Sequence, residues 1–286
     1  MTDWSGFCMD SLSTSADGRR LAFRRLTVQS SVYLADLQFH GTRISAPRPL
    51  TLNEGRDYPA AWTADSKAVV FVSNRNGQSE IFRQSLGEED THAIPTLSEG
   101  GDEPASAGLL SRVVPRMSPD GTWVLYMVWE RATGLPAPVK LMRVPLLGGP
   151  PQLVMTTSLD IIHSMRCTRS PASLCAIAER APDRKQLIFT GFDPVFGRGR
   201  ELARFVTNST PDAEYVWHLS PDGTRIAILK RSEAAISVLS LSGQPLQEVV
   251  VKGWHSLQSL DWLADGTGLY LRALYAACGS RRTSFG

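Results

Sequence analysis

What the sequence does not contain excludes several kinds of protein. No apolar run approaches the roughly 18–20 residues that a spanning helix needs. The opening stretch MTDWSGFCMDSLSTS lacks the charged-then-apolar order of a secretory signal. As written, the chain is expected neither to insert into nor to cross a membrane. It also lacks an excess of charge of one sign, since 30 basic residues stand against 28 acidic ones and leave a formal +2. A dedicated nucleic-acid binder carries a basic patch or stripe, so no nucleic acid is expected as a partner of this region. Cysteine is scarce. Cys8, Cys167, Cys175 and Cys278 are too few for a disulfide scaffold, and no two have the C-x-x-C spacing of a zinc site.

Signatures of chemistry are missing as well. There is no G-x-S-x-G pentapeptide of the kind that carries a hydrolase nucleophile. His40, His92, His163, His218 and His255 are scattered without H-E-x-x-H or comparable ligand spacing. The stretch GFDPVFGRGREL, with Gly197, Arg198, Gly199 and Arg200, follows a strand pattern without opening a helix. A phosphate cradle needs that helix, so the stretch reads as a solvated hairpin tip. The acidic stretches GEEDTH and SEGGDEPAS could hold calcium, but polar loops of this kind are usually solvated. The expectation is no metal, no cofactor and no enzyme activity in this chain.

What is present is a repeat. SADGRRLAF, TADSKAVVF, SPDGTWVLY, SPDGTRIAI and LADGTGLYL align on Asp17, Asp65, Asp120, Asp222 and Asp265, at steps of 48, 55, 102 and 43 residues. The long step hides a worn copy, RSPASLCAIAE, in which Ala172 stands where the aspartate would be. That makes six units. Four residues past the aspartates lie Leu21, Val69, Val124, Ile226 and Leu269, and six past lie Phe23, Phe71, Tyr126, Ile228 and Leu271. The position between is apolar too, as in a strand buried on both faces.

The recurring aspartate has a physical reading as a corner. Proline fixes φ, the aspartate side chain accepts hydrogen bonds from N–H groups just ahead, and glycine takes the positive-φ position. Asp17, Gly18, Asp65, Asp120, Gly121, Asp222, Gly223, Asp265 and Gly266 are therefore expected to be structural turns. Third strands are read at VYLADL, SEIFRQS, KLMRVPL, ELARF and ISVLSL, with HAIPTLS as a fourth. No long helical periodicity competes. Four strands in roughly 40–50 residues, repeated, predict an all-β fold, a six-bladed β-propeller of four-stranded antiparallel blades.

Cys167 and Cys175 flank the worn turn symmetrically about Pro171. Opposed strand residues approach within the Cα separation that a disulfide favours, so a bridge there could replace the missing Asp–Gly corner. Two reduced, packed cysteines are the alternative.

S-P-D-G turns followed by an apolar strand and then SNRNG…IF resemble the TolB-like and WD-like propeller repeats of bacteria, over about Trp4 to Leu271. Stretches such as LTLNEGRDYPAAWTADSKAVVFVSNRNGQ and SLQSLDWLADGTGLYL further resemble propeller regions of large bacterial sensors, where a winged-helix or a serine/threonine kinase domain precedes. The resemblance implies a non-catalytic binding module, the sensory or interaction region of a larger bacterial signalling protein. The alternative it leaves is a propeller that gates a serine peptidase of the prolyl oligopeptidase kind, whose catalytic domain is absent from these residues.

In propellers the mouth of the central channel gathers side chains from every blade. It directs attention to Arg56, Asp57, Tyr58, Glu214, Tyr215, His255 and Gln258 as candidates for binding a protein, peptide or small ligand. Compartment is not readable, and an extracytoplasmic position follows only if the parent is membrane-anchored. The repeats define one domain over residues 1–272. The last blade is expected to be incomplete, since 21 residues follow Asp265 and RALYAACGSRRTSFG lacks the third-strand pattern. Residues 273–286 are read as an irregular tail, truncated or frame-shifted. Open strand edges in an incomplete ring predict a chain that is marginal or self-associating on its own.

Overall fold

The structure, a computed structural model, describes residues 8–14, 21–26, 29–38, 43–77, 79–96, 115–129, 139–157, 161–207, 215–233, 235–251 and 257–273. Among them every regular element is a strand, except one 3-10 turn at Arg231–Glu233. The chain divides into two compact units, Met1–Thr157 and Ser158–Gly286.

In the first unit, β1 (Cys8–Thr14) and β2 (Leu21–Leu26) form an antiparallel hairpin. Four two-residue strands follow: β3 (Tyr33–Leu34), β4 (Leu37–Gln38), β5 (Arg43–Ile44) and β6 (Arg48–Pro49), with β3 paired to β6 and β4 to β5. Then come two antiparallel meanders. One is β7 (Asp57–Trp62), β8 (Ala68–Ser73), β9 (Glu80–Ser85) and β10 (Thr91–Ile94). The other is β11 (Arg116–Met117), β12 (Trp123–Trp129), β13 (Val139–Pro145) and β14 (Gln152–Thr157).

The second unit repeats the plan. Its first sheet is β15 (Ile161–Cys167), β16 (Cys175–Arg180), β17 (Gln186–Asp193) and β18 (Gly197–Val206). Its second is β19 (Tyr215–Leu219), β20 (Arg225–Lys230), β21 (Ala235–Ser240) and β22 (Gln247–Val250). A hairpin of β23 (Leu257–Trp262) and β24 (Leu269–Ala273) follows.

The second strands of the four-stranded sheets are apolar on both faces because both faces are covered, whereas β24 is largely exposed. All six residues of β8 are buried, as are Ile226–Leu229 in β20. In the first unit Val70 and Ile81 pack with Val124, Tyr126 and Met142 of the next sheet. In the second, Ala178 and Phe189 pack with Trp217 and Ile228, and Ala227 and Val238 with Leu260 and Trp262. Each of the larger aliphatic and aromatic side chains among them contributes about 1.5–3 kcal/mol on leaving water. The outer strand β22, by contrast, is exposed at all four positions.

Three expectations are corrected. Four sheets of four strands are present among the described residues, not six. In the first unit VYLADL does not make one third strand. It breaks between β3 and β4, where Asp36 and Ser45 hold each other across the chain through Asp36 N–H to Ser45 Oγ (2.7 Å) and Ser45 N–H to Asp36 O (2.9 Å). Opposite β3 stands Pro49, which has no N–H to extend the ladder. The last correction is ELARF, which lies in β18, the fourth strand of its sheet; the third strand is QLIFTGFD, β17. A corner at Asp183 between β16 and β17 shifts the count by one strand.

Candidate functional site

The corners are built alike. Ser220 Oγ donates to Asp222 Oδ1 at 2.5 Å and accepts the Arg225 N–H at 2.9 Å, while the Thr224 N–H reaches Asp222 Oδ1 at 3.1 Å. Thr63, Asp65 and Lys67 repeat this arrangement, as do Ser118, Asp120 and Thr122. Asp265 takes only the N–H and hydroxyl of Thr267, because Leu263 has no hydroxyl to offer. Gly121 has φ 73°, and a Cβ there would come 2.5 Å from Ala64 Cβ of the neighbouring corner. Asp17 and Gly18 lie outside the described residues. The hydroxyl two residues before the aspartate is the part that sequence reasoning missed. So is Asp183, whose Oδ1 accepts the Lys185 N–H at 3.0 Å while Arg184 takes φ 59°.

These carboxylates are occupied by their own turns. Burial opposes ionisation at Asp120 and Asp222, but the hydroxyl and N–H hydrogen bonds outweigh it and hold both carboxyls below their ordinary 3.8. The lowered folded-state value means that the stabilisation is complete above the ordinary carboxyl range and is lost as pH falls through the folded-state value. Asp222→Ala is expected to cost about 1 kcal/mol at neutral pH. The difference from the parent should vanish in strong acid, as read by urea unfolding at both pH values.

At the worn corner, Thr168 plays the hydroxyl part alone, donating to Leu174 O at 3.1 Å and accepting the Leu174 N–H at 3.0 Å. Cys167 and Cys175 stand opposite each other in the β15–β16 register and are joined, with 4.0 Å between their Cα atoms. Closing so short a loop contributes about 2.5 kcal/mol on the chain-entropy account. A drop in unfolding free energy of about that size is expected in excess dithiothreitol, with two additional titratable thiols.

The candidates for a channel mouth fall as follows. In the first unit Arg56 bridges to Ser30, its N–H donating to Asn74 Oδ1 at 2.6 Å. Asp57 is buried, bound by Asn53 Nδ2 and by Arg75 Nη2 at 3.4 Å, and its Oδ1 has no hydrogen-bond partner among the described residues. Tyr58 beside it is 40% exposed. In the second unit Tyr215 is buried edge-to-face against Phe205, and Gln258 offers its carbonyl to Arg231 Nε at 3.0 Å. Glu214 and His255 lie outside the described residues. Of the seven, Tyr58 has the solvent access that a binding side chain needs, whereas Asp57 and Tyr215 are held in the core.

A groove that sequence reasoning did not find opens in the second unit. It has a volume of about 540 Å³, with Leu174, Phe192, Leu202 and Leu241 giving it apolar walls. Two bulges in β18 make it. The register runs Phe189↔Ala203, Thr190↔Glu201 and Phe192↔Arg198, so β18 carries two residues more than β17 across this stretch. Gly199 faces Gly191 so closely that a Cβ would lie 2.9 Å from the Gly191 carbonyl oxygen. Bulges of this kind bend a strand and re-aim its side chains. The signal in the sequence was the G-R-G-R-E spacing, two glycines around an arginine just past a hairpin tip.

Charge around the groove is mostly spoken for. Asp193 Oδ1 accepts the N–H groups of Val195 (2.6 Å) and Phe196 (3.0 Å) in the hairpin turn. Arg204 grips Glu201 through two hydrogen bonds of 2.7 and 2.8 Å, and that contact holds the Glu201 carboxyl below its ordinary range. Arg198 pairs with Glu179 at 2.7 Å. Arg200, exposed at the groove, belongs to neither pair.

No family model matches this chain, and no curated protein matches it. Solved structures do. TolB from Acinetobacter baumannii is 17% identical over 83% of this chain and 53% of its own, with a TM-score of 0.51. A functionally unknown protein from Desulfotomaculum acetoxidans DSM 771 is 15% identical over 80% and 66%, at 0.50. A chain of the nidogen/laminin complex is 11% identical over 85% and 82%, at 0.55. At such identities the likeness is one of fold. The fold is all-β and of the β-propeller type, and the chain spans about half the length of TolB.

Proposed function

We propose that this chain is a non-catalytic interaction module, the sensory or protein-binding region of a larger bacterial signalling protein, which offers the ends of its sheets to a protein or peptide. The groove beside β18 carries this reading: it joins apolar walls to a few polar groups, the usual make-up of a recognition site. The corner carboxylates, which a catalytic reading would need, are engaged by their own turns. We extend the module over residues 1–272 as one repeat domain, with residues 273–286 as a separate tail.

Photo-crosslinking in the producing cell tests the reading. With a photoreactive residue at Tyr58 or at Thr224 on the groove rim, a discrete protein adduct is expected from at least one position. Absence of any adduct, or turnover of peptide substrates by the purified chain, would overturn it.

A further inference from the structure

We propose that the groove beside β18 takes an extended peptide segment carrying a carboxylate side chain next to an apolar one. This rests on the interaction-module reading and names its ligand. Three independent features of the groove converge on it.

The first is backbone access. β18 is the last strand in the order of its sheet, and among the described residues no further strand pairs with its outer edge. The two extra residues within 199–202 also fall out of step with β17 and turn their peptide groups from the ladder. An extended guest can take up those donors and acceptors, as peptides do when they add to a sheet edge. The second is shape. Leu174, Phe192, Leu202 and Leu241 wall the groove while Gly191 and Gly199 let β17 and β18 lie close together beneath it, so one apolar side chain of the guest can enter.

The third is charge. Asp193 is tied into the hairpin turn, Glu201 is neutralised by Arg204, and Arg198 by Glu179. Arg200 remains as the charge facing the guest. A guanidinium presents a planar fork of donors that suits a carboxylate better than an amide or a lysine. Being exposed, the pair adds selectivity more than affinity.

The test uses the whole chain and two peptides, acetyl-Val-Phe-Asp-Val-amide and its Asn counterpart, with binding read by calorimetry. The Asp peptide is expected to bind about five-fold more tightly than the Asn peptide. Arg200→Glu, an exposed change that leaves the circular dichroism intact, should erase or reverse that preference. Ser242→Trp, which narrows the groove mouth, should weaken both peptides. No binding of either peptide, or an Asp preference that survives Arg200→Glu, overturns the proposal. If the peptides fail while Tyr58 still yields a cross-linked adduct, the ligand assignment falls and the interaction module stands; if no adduct forms at either position, both fall.

Discussion

Trp217→Ala is expected to lower the stability of the second unit by about 4 kcal/mol, the largest loss anticipated for a single core residue. Trp217 lies in the middle of β19 with no exposed surface, and its ring meets Phe189 of the preceding sheet edge-to-face at 5.2 Å between centroids. The Arg166 guanidinium sits over the indole at 5.7 Å. Truncation would remove the indole, leave a cavity between two sheets, and strip a buried cation of its aromatic face. Trp217→Phe keeps a ring at that place and should cost markedly less. Urea unfolding followed by far-ultraviolet circular dichroism separates these outcomes. A loss below about 1 kcal/mol for the alanine variant would mean that the contact between these sheets is not their core.

Asp57→Ala should be nearly as damaging in the first unit, by about 3 kcal/mol. The reason is the company Arg75 keeps. Its guanidinium lies 5.1 Å from the Phe71 ring centroid and 4.6 Å from that of Phe82, and Nη1 donates to Thr91 Oγ1 at 2.7 Å. Removing Asp57 leaves that cation pinned among aromatic rings without its counter-charge, and also frees Asn53 Nδ2. Arg75→Ala in the Asp57→Ala background should therefore cost less than it does in the parent, because the two residues act as one unit. A strictly additive double mutant would show that the pair is incidental.

Much of the fold was legible because its dominant rule is local. An apolar pair at fixed distance from a corner residue marks a central strand wherever it recurs. Trp123–Trp129 and Arg225–Lys230 could be placed from SPDGTWVLY and SPDGTRIAI alone. The count of complete sheets was not legible, because it depends on the weaker outer strands. Those are short and polar at β5 and β6, and there the prolines at 47 and 49 decide the pairing. The Asp183 corner falls outside the repeat because it joins a second strand to a third, whereas the repeating aspartates join a first strand to a second.

The groove was hidden for a different reason. Apolar spacing reports which face of a strand is covered, but the two inserted residues in β18 change no composition and leave the run ELARF looking like any strand. Two of the channel-mouth candidates were opaque for the converse reason. Asp57 and Tyr215 have the residue types that bind ligands, yet each is consumed by packing, and only burial could reveal that.

The corners closed by Ser118 and Ser220 complete the hydrogen bonds of their serine and aspartate side chains within five residues of chain. Such self-sufficiency lets inheritance edit one hairpin at a time. One lineage can trade the aspartate for a covalent tie, as between Cys167 and Cys175, and another can lengthen the tip that ends in Phe196, while neighbouring hairpins keep their shape. Sheets assembled from such parts diversify at their turns without renegotiating their cores.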